Sequence, residues 1–107
     1  GEILQYDTPQ EIFRHPVNRE VAEYFGRMNY IREGERKIGV RPFDIRILPS
    51  GNDCVVEEVV FMGETAEVLL GTPQGRVYCM MMSRELDEMG VKVGECVGME
   101  IVGRVGE

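Results

Sequence analysis

From Cys54 to Ile101 the chain runs in short apolar segments divided by glycine turns, and no other stretch restricts the possible folds as much. The pattern predicts strands over 54–62, 65–70, 76–82 and 96–102, with a loop over 71–75 and a short helix starting at Ser83. Glycine at the first central position of a two-residue loop suits the turn whose twist matches its flanking strands, so Gly63-Glu64 marks a β-hairpin. Over 65–70 the even positions Ala66, Val68 and Leu70 point inward. The 54–62 segment is apolar on both faces apart from Glu57-Glu58, which predicts a central strand. Several short strands with one small helix before the last make a small barrel the expected architecture.

A chain of 107 residues has room for one core, burying roughly 65% of the surface its unfolded form exposes. The formal charge of −7 argues against a nucleic-acid backbone as partner, because there is no Lys/Arg stripe to displace its counterions. The same charge repels small anions at long range. It leaves room for a local site of backbone N–H groups and one or two cations, since the wider field is screened over about 8 Å. Cys54, Cys79 and Cys96 lie in apolar strand patterns without Cys-x-x-Cys spacing or a nearby His, and read as small buried hydrophobes of a reducing cytosol. No signal peptide and no run of about twenty apolar residues is present, so no direct membrane insertion is expected.

The first half is more broken. Residues 1–6 read as a strand end that starts abruptly, a sign of a fragment. Thr8-Pro9-Gln10-Glu11 combines a capping Thr, a Pro at the first helical position and a Glu three residues after the cap, which predicts a short helix to about Arg14. His15-Pro16 breaks it. Val17, Val21, Tyr24 and Phe25 then fall on one face of a second helix, capped by Asn18 and ended by Gly26. His15, the sole histidine, has no catalytic companion and reads as structural or exposed. The charged stretch 27–37 reads as a linker, and 38–40 and 43–48 as edge strands on either side of Arg41-Pro42.

A phosphate-binding loop, a Ser/His/Asp set, paired carboxylates in an apolar setting and a metal-spaced His/Cys cluster are all missing from the pattern, which argues against an enzyme. Met80-Met81-Met82 reads as adaptable core filler rather than a soft-metal site, since alternation sends Met81 to the opposite face. One constellation remains. At Ser83-Arg84 a helix start, a hydroxyl and a guanidinium can converge on an oxyanion; the alternative is that Ser83 is only a helix cap and Arg84 only a surface charge.

Residues 1–26, with Gly1, Gln5, Thr8-Pro9, the Glu11-Ile12-Phe13 helix, Pro16, Val21-Ala22 and Phe25-Gly26, resemble the end of the nucleotide-binding domain in ATP-binding subunits of ABC importers. Val40-Arg41-Pro42-Phe43-Asp44-Ile45 resembles the Arg-Pro-Glu-Asp-Ile stretch of the C-terminal TOBE (transport-associated OB) domain, with Phe43 in place of the usual Glu. From Val56 onward, Phe61-Met62-Gly63, Ser83-Arg84-Glu85-Leu86 and 89–95 resemble a molybdate-binding (MOP) module, with Cys54 where that pattern tends to have Gly. Ser83 and Arg84 match its Ser/Thr-Lys/Arg position by type.

The resemblance implies a mainly β fold, an OB-like small β-barrel (TOBE/MOP-like) preceded by two short α-helices. It divides the chain into 1–26 as the end of a nucleotide-binding domain, 27–37 as linker and 38–107 as barrel. The implied role is that of a regulatory C-terminal domain of an importer's ATP-binding subunit. Such a domain would form a homodimer, work with an ABC permease and a nucleotide-binding domain, and sense an oxyanion such as molybdate or tungstate at Ser83 and Arg84. The implied location is cytoplasmic, at the inner face of the cell membrane. ATP and Mg would be cofactors of the nucleotide-binding domain only, the chain itself having none and not being expected to hydrolyse ATP. Two alternatives are a stand-alone oxyanion-storage protein and a purely structural dimerisation module. The segment 55–62 is the expected dimer contact, as a means of covering an open sheet edge.

Overall fold

The computed structural model describes residues 7–24 and 26–106; the strand end expected over 1–6 lies outside them. Two short helices come first, α1 (Pro9–Arg14) and α2 (Arg19–Tyr24). Their starts follow from the caps: the Thr8 hydroxyl accepts from the Glu11 N–H at 3.3 Å, and the Asn18 side-chain Oδ1 accepts from the Val21 N–H at 2.9 Å. Val21 and Ala22 are buried, whereas Val17 is 64% exposed and does not belong to the apolar face that its spacing predicted.

The expected linker is an ordered hairpin. Strands β1 (Asn29–Glu33) and β2 (Arg36–Val40) pair antiparallel around Gly34-Glu35, with Gly34 at φ +65°. Ile31, Ile38 and Val40 face inward and supply the apolar contact that holds so polar a ribbon in place. A 3-10 turn, Pro42–Asp44, then leads into β3 (Ile45–Leu48).

The remaining strands are β4 (Cys54–Phe61), β5 (Thr65–Thr72), β6 (Gly75–Met82) and β7 (Cys96–Ile101), with α3 (Ser83–Met89) between the last two. They form one antiparallel sheet in the order β3-β7-β4-β5-β6, so β4 is central and β3 lies at an edge, as the pattern predicted. Met62 N–H donates to the Thr65 carbonyl at 2.9 Å and Gly63 takes φ +97°, which closes the two-residue Gly63-Glu64 turn. Strand β5 runs two residues further than expected, with the next turn confined to Pro73-Gln74 between Thr72 and Gly75. Ala66, Val68 and Leu70 of β5 lie opposite Met81, Cys79 and Val77 of β6 on the core side; Met80 and Met82 stay half-buried.

The sheet curls until its two edges meet. The Cys79 thiol of β6 donates to the Ile45 carbonyl of β3 at 3.1 Å, across the seam of the barrel. Leu86 of α3 closes one end of the core, and Gly90 ends that helix in a left-handed C-cap. The result is mainly β and compatible with an OB-like fold. Cys54 and Cys79 are buried, but Cys96 at the start of β7 is exposed, contrary to the reading of three buried thiols. Its place at the strand's first residue puts it on the rim. The C-terminal tail then laces the halves together, Val105 N–H donating to the Gly39 carbonyl and Gly106 N–H to that of Arg14, both at 2.8 Å.

Candidate functional site

Ser83 and Arg84 lie side by side at the start of α3, in a hollow of about 250 Å³ whose other lining residues are Glu64 and Met82. Ser83 is not the cap: Met82 occupies that position, without a side-chain hydrogen bond, and Ser83 is the first helical residue. Its hydroxyl donates to the Gly63 carbonyl at 2.6 Å, and its N–H donates to the Glu64 carbonyl at 2.8 Å. Both donors of Ser83 therefore stitch the helix start to the β4–β5 turn. What the hollow offers an anion is the exposed Arg84 guanidinium, with Glu64 as a charge of opposite effect in the same lining.

A more heavily determined site lies at Arg41, which the sequence reading treated only as part of an extended turn. Arg41 is 4% exposed, and among the described residues no carboxylate is hydrogen-bonded to it. One guanidinium nitrogen donates to the Ala22 carbonyl at 3.0 Å and the Gly26 carbonyl at 3.4 Å; the other donates to the Phe13 carbonyl at 3.3 Å. These carbonyls lie in the last turns of α1 and α2 and just beyond α2. A helix end leaves such acceptors without intrahelical partners and carries partial negative charge, so one buried cation satisfies two helix ends at once. The guanidinium also lies 4.2 Å from the centroid of the Phe13 ring. Burial pulls the Arg41 pKa down, with Tyr30 and Asp44 acting in the opposite direction. The signal for this role was an arginine immediately after buried-type Val40 and before a proline, in a segment with no acidic partner nearby on the same strand.

Asn29 is the second buried polar side chain. Its amide donates to the Tyr78 carbonyl and accepts from the Tyr78 N–H, both at 2.7 Å. The side chain thus imitates a neighbouring strand along the outer edge of β6. Arg27 lies over the Tyr78 ring at 4.0 Å and bonds Glu67 at 2.9 Å, and Arg19 lies over Tyr30 at 3.8 Å. Burial raises the Tyr30 pKa. Where β3 and β6 approach, a cleft of about 260 Å³ is lined by Ile45, Ile47, Cys79, Met81 and Met89 among others. Desolvation pushes the Cys79 thiol up to about 12, so it remains a neutral hydrogen-bond donor at physiological pH.

Comparison against protein-family models gives no match. Among curated proteins the chain is 29% identical over 94 residues to the Fe(3+) ions import ATP-binding protein FbpC of Escherichia coli, covering 64% of this chain and 27% of that protein. It is 23% identical to the spermidine/putrescine import ATP-binding protein PotA of Rubrobacter xylanophilus, covering 92% of this chain and 36% of the relative. It is 31% identical over 70 residues to PotA of Bacillus thuringiensis subsp. konkukian, covering 59% and 21%. The homologues are thus ATP-binding subunits of ABC importers, and the chain spans roughly a fifth to a third of their length. Among the described residues, no helix is long and apolar enough to cross a membrane.

Proposed function

We propose that this chain is a C-terminal, TOBE/MOP-like accessory domain of an importer's ATP-binding subunit, and that it regulates the motor through the Arg41 joint. The single observation that supports this most is the capping of both helix ends by one buried guanidinium. Residues 1–26 resemble the end of a nucleotide-binding domain, and the barrel follows Arg41 directly. A change in the barrel's association or ligand state therefore reaches the helical segment without a flexible linker between them. ATP and Mg belong, in this reading, to the nucleotide-binding part of the subunit, and the permease is its membrane partner. The barrel pairs with its twin in a homodimer, and an oxyanion such as molybdate or tungstate is sensed at the Arg84 guanidinium, with Ser83 holding the helix start against the β4–β5 turn. For such sensing to regulate, the ligand must bind one state of the dimer better than the other.

The test is thermal unfolding with and without molybdate, tungstate, sulfate and phosphate, with spermidine as a polycation control. A ligand at one hundred times its Kd stabilises by about 2.7 kcal/mol, several degrees for a domain of this size. A shift with molybdate or tungstate alone, lost in Arg84→Ala, is the expected result. An unchanged melting temperature with all four anions removes the sensing role. A second reading, a structural dimerisation module without ligand, draws support from Ser83, whose hydroxyl and N–H are both engaged by the β4–β5 turn.

A further inference from the structure

Part of the β4 edge is left uncovered by the described residues. Strand β7 pairs with β4 only at Cys54 and Val55. Val56 is then satisfied by the turn before β7, donating to the Glu95 carbonyl at 2.9 Å and accepting from the Gly94 N–H at 2.7 Å. From Glu57 to Phe61 the same edge continues with β5 on its other side alone. Glu57 is the extra residue of a bulge between Val56 and Glu58, and its carboxylate turns back across the sheet to Arg76 at 3.1 Å. A bulge and a charge protect the first part of this edge. The rest, Val59-Val60-Phe61-Met62, carries no charge, and Val60, Phe61 and Met62 are 41%, 74% and 55% exposed.

We infer that this edge is an interface between two copies of the chain, formed by antiparallel pairing of β4 with the β4 of a second copy, Val60 lying opposite itself. The inference rests on the dimer in the proposed function and specifies how it is made. Hydrogen-bond parity limits the registers to those that pair Val59 and Phe61 with themselves or each other. The placement of the carboxylates selects among them: Phe61 against itself would set Glu58 opposite Glu64. Met62 is bonded to Thr65 at the hairpin's close, so Met62, Val60 and Glu58 direct their N–H and C=O groups at β5. Val59 and Phe61 direct theirs outward. Two such edges match when Val59 of each copy faces Phe61 of the other, which makes two reciprocal N–H···O pairs about a twofold axis at Val60. In that register Glu58 lies opposite Met62, and no carboxylate faces another across the axis. Setting Val59 against itself would instead place Phe61 opposite Glu57, whose carboxylate is held elsewhere. The contact is the same patch on both copies, so it closes at two and does not propagate into fibres. Each copy carries a formal charge of −7, so added salt tightens the dimer by screening.

The test combines sedimentation equilibrium with residue-resolved amide exchange on this chain from roughly 10 μM to roughly 1 mM, a range in which mass action populates a weak dimer. The expected result is a dimer in which the Val59 and Phe61 amides slow by about tenfold or more as concentration rises, while the Val60 amide, already bonded to β5, does not. Val59→Pro keeps the β5 ladder, because the N–H it removes faces outward, and should give a monomer with an intact melting transition. A dimer in which Val59 and Phe61 exchange equally fast at all concentrations overturns the inference and leaves the proposed homodimer to another face. A monomer throughout overturns both the inference and the proposed homodimer, while leaving ligand sensing to its own test.

Discussion

Two hairpins of this protein turn on the same dipeptide, Gly34-Glu35 between β1 and β2 and Gly63-Glu64 between β4 and β5. Both glycines have positive φ, and both turns join antiparallel strands. Only the second is visible as a hairpin in the sequence, because one flank is the continuous apolar run 59–62 and the other, 65–70, places Ala66, Val68 and Leu70 on one face. The first is flanked by Arg32, Glu33, Arg36 and Lys37, which read as a solvated loop. The difference lies in what holds each ribbon. Strand β5 buries Ala66, Val68 and Leu70 in the core, whereas β1 and β2 depend on three apolar side chains and on polar contacts reaching far along the chain. Asn29 to Tyr78, Gln74 to the Arg32 N–H, and Arg104 to Glu33 are those contacts.

High pH should act on the core side of this comparison, since β4 and β6 carry the buried thiols and β1–β2 has none. The Cys79 pKa rises from 9.0 to about 12 on folding, and that of Cys54 also rises, in both cases chiefly through burial. Below the unfolded value both states keep the proton and stability is complete. Between the two values the unfolded chain ionises while the folded one does not, so stability falls by about 1.4 kcal/mol per pH unit, about 4 kcal/mol in all for Cys79. Denaturant midpoints from pH 8 to 11 test this, and Cys79→Ala should have a shallower alkaline slope. A slope identical in the variant removes the thiol as its cause.

Next in size is Arg41→Ala, at the exit of β2. It leaves three carbonyls at helix ends without their donor, for a loss of about 3 kcal/mol in chemical denaturation. Faster amide exchange in α1 and α2, with β5 unchanged, should accompany it; uniform loosening would contradict the clamp. Asn29→Ala breaks the polar hold on β6 and should cost about 2 kcal/mol, because both Tyr78 backbone groups lose their partner. Exchange of the Tyr78 amide reports that directly.

The two turns are separated by a smaller effect. No neighbouring atom would meet a Cβ at either glycine, so alanine there is penalised through the backbone alone. Gly34→Ala at φ +65° should cost about 1 kcal/mol, and Gly63→Ala at φ +97°, further from the left-handed helical region, somewhat more. Equal melting temperatures for the two variants would erase the distinction. The smallest change is Arg104→Ala, which removes the hydrogen-bonded pair with Glu33. That partnership holds the Glu33 carboxyl below its ordinary range. NMR titration of Glu33 should find its pKa moving up in the variant, with little loss of stability, as for exposed ion pairs generally.

Legibility followed the source of each stabilising interaction. Thr8 and Asn18 announce their helices because a cap acts within four residues of chain. The central place of β4 was legible from its being apolar on both faces, and the inward side of β5 from alternation, which a half-buried strand requires. The anion reading of Ser83 was legible only as chemistry: a hydroxyl beside a guanidinium says nothing about which carbonyl twenty residues away will take the proton. Val17 misled because helical spacing identifies a face without showing that the helix extends far enough to use it.

What the amino-acid sequence determined by itself was local: two capped helices, a glycine-turned hairpin, an alternating strand and a helix ended by Gly90. Period, cap and turn act over a few residues, and the chain carries them wherever it goes. Three features were decided only by tertiary structure. Arg41 lies beneath two helix ends, Asn29 completes an edge 49 residues away, and β7 ends its pairing at Val55, leaving 57–61 of β4 uncovered by the described residues on that side. Each joins groups distant in sequence, and a buried donor acquires its acceptor only when the fold has removed water from both.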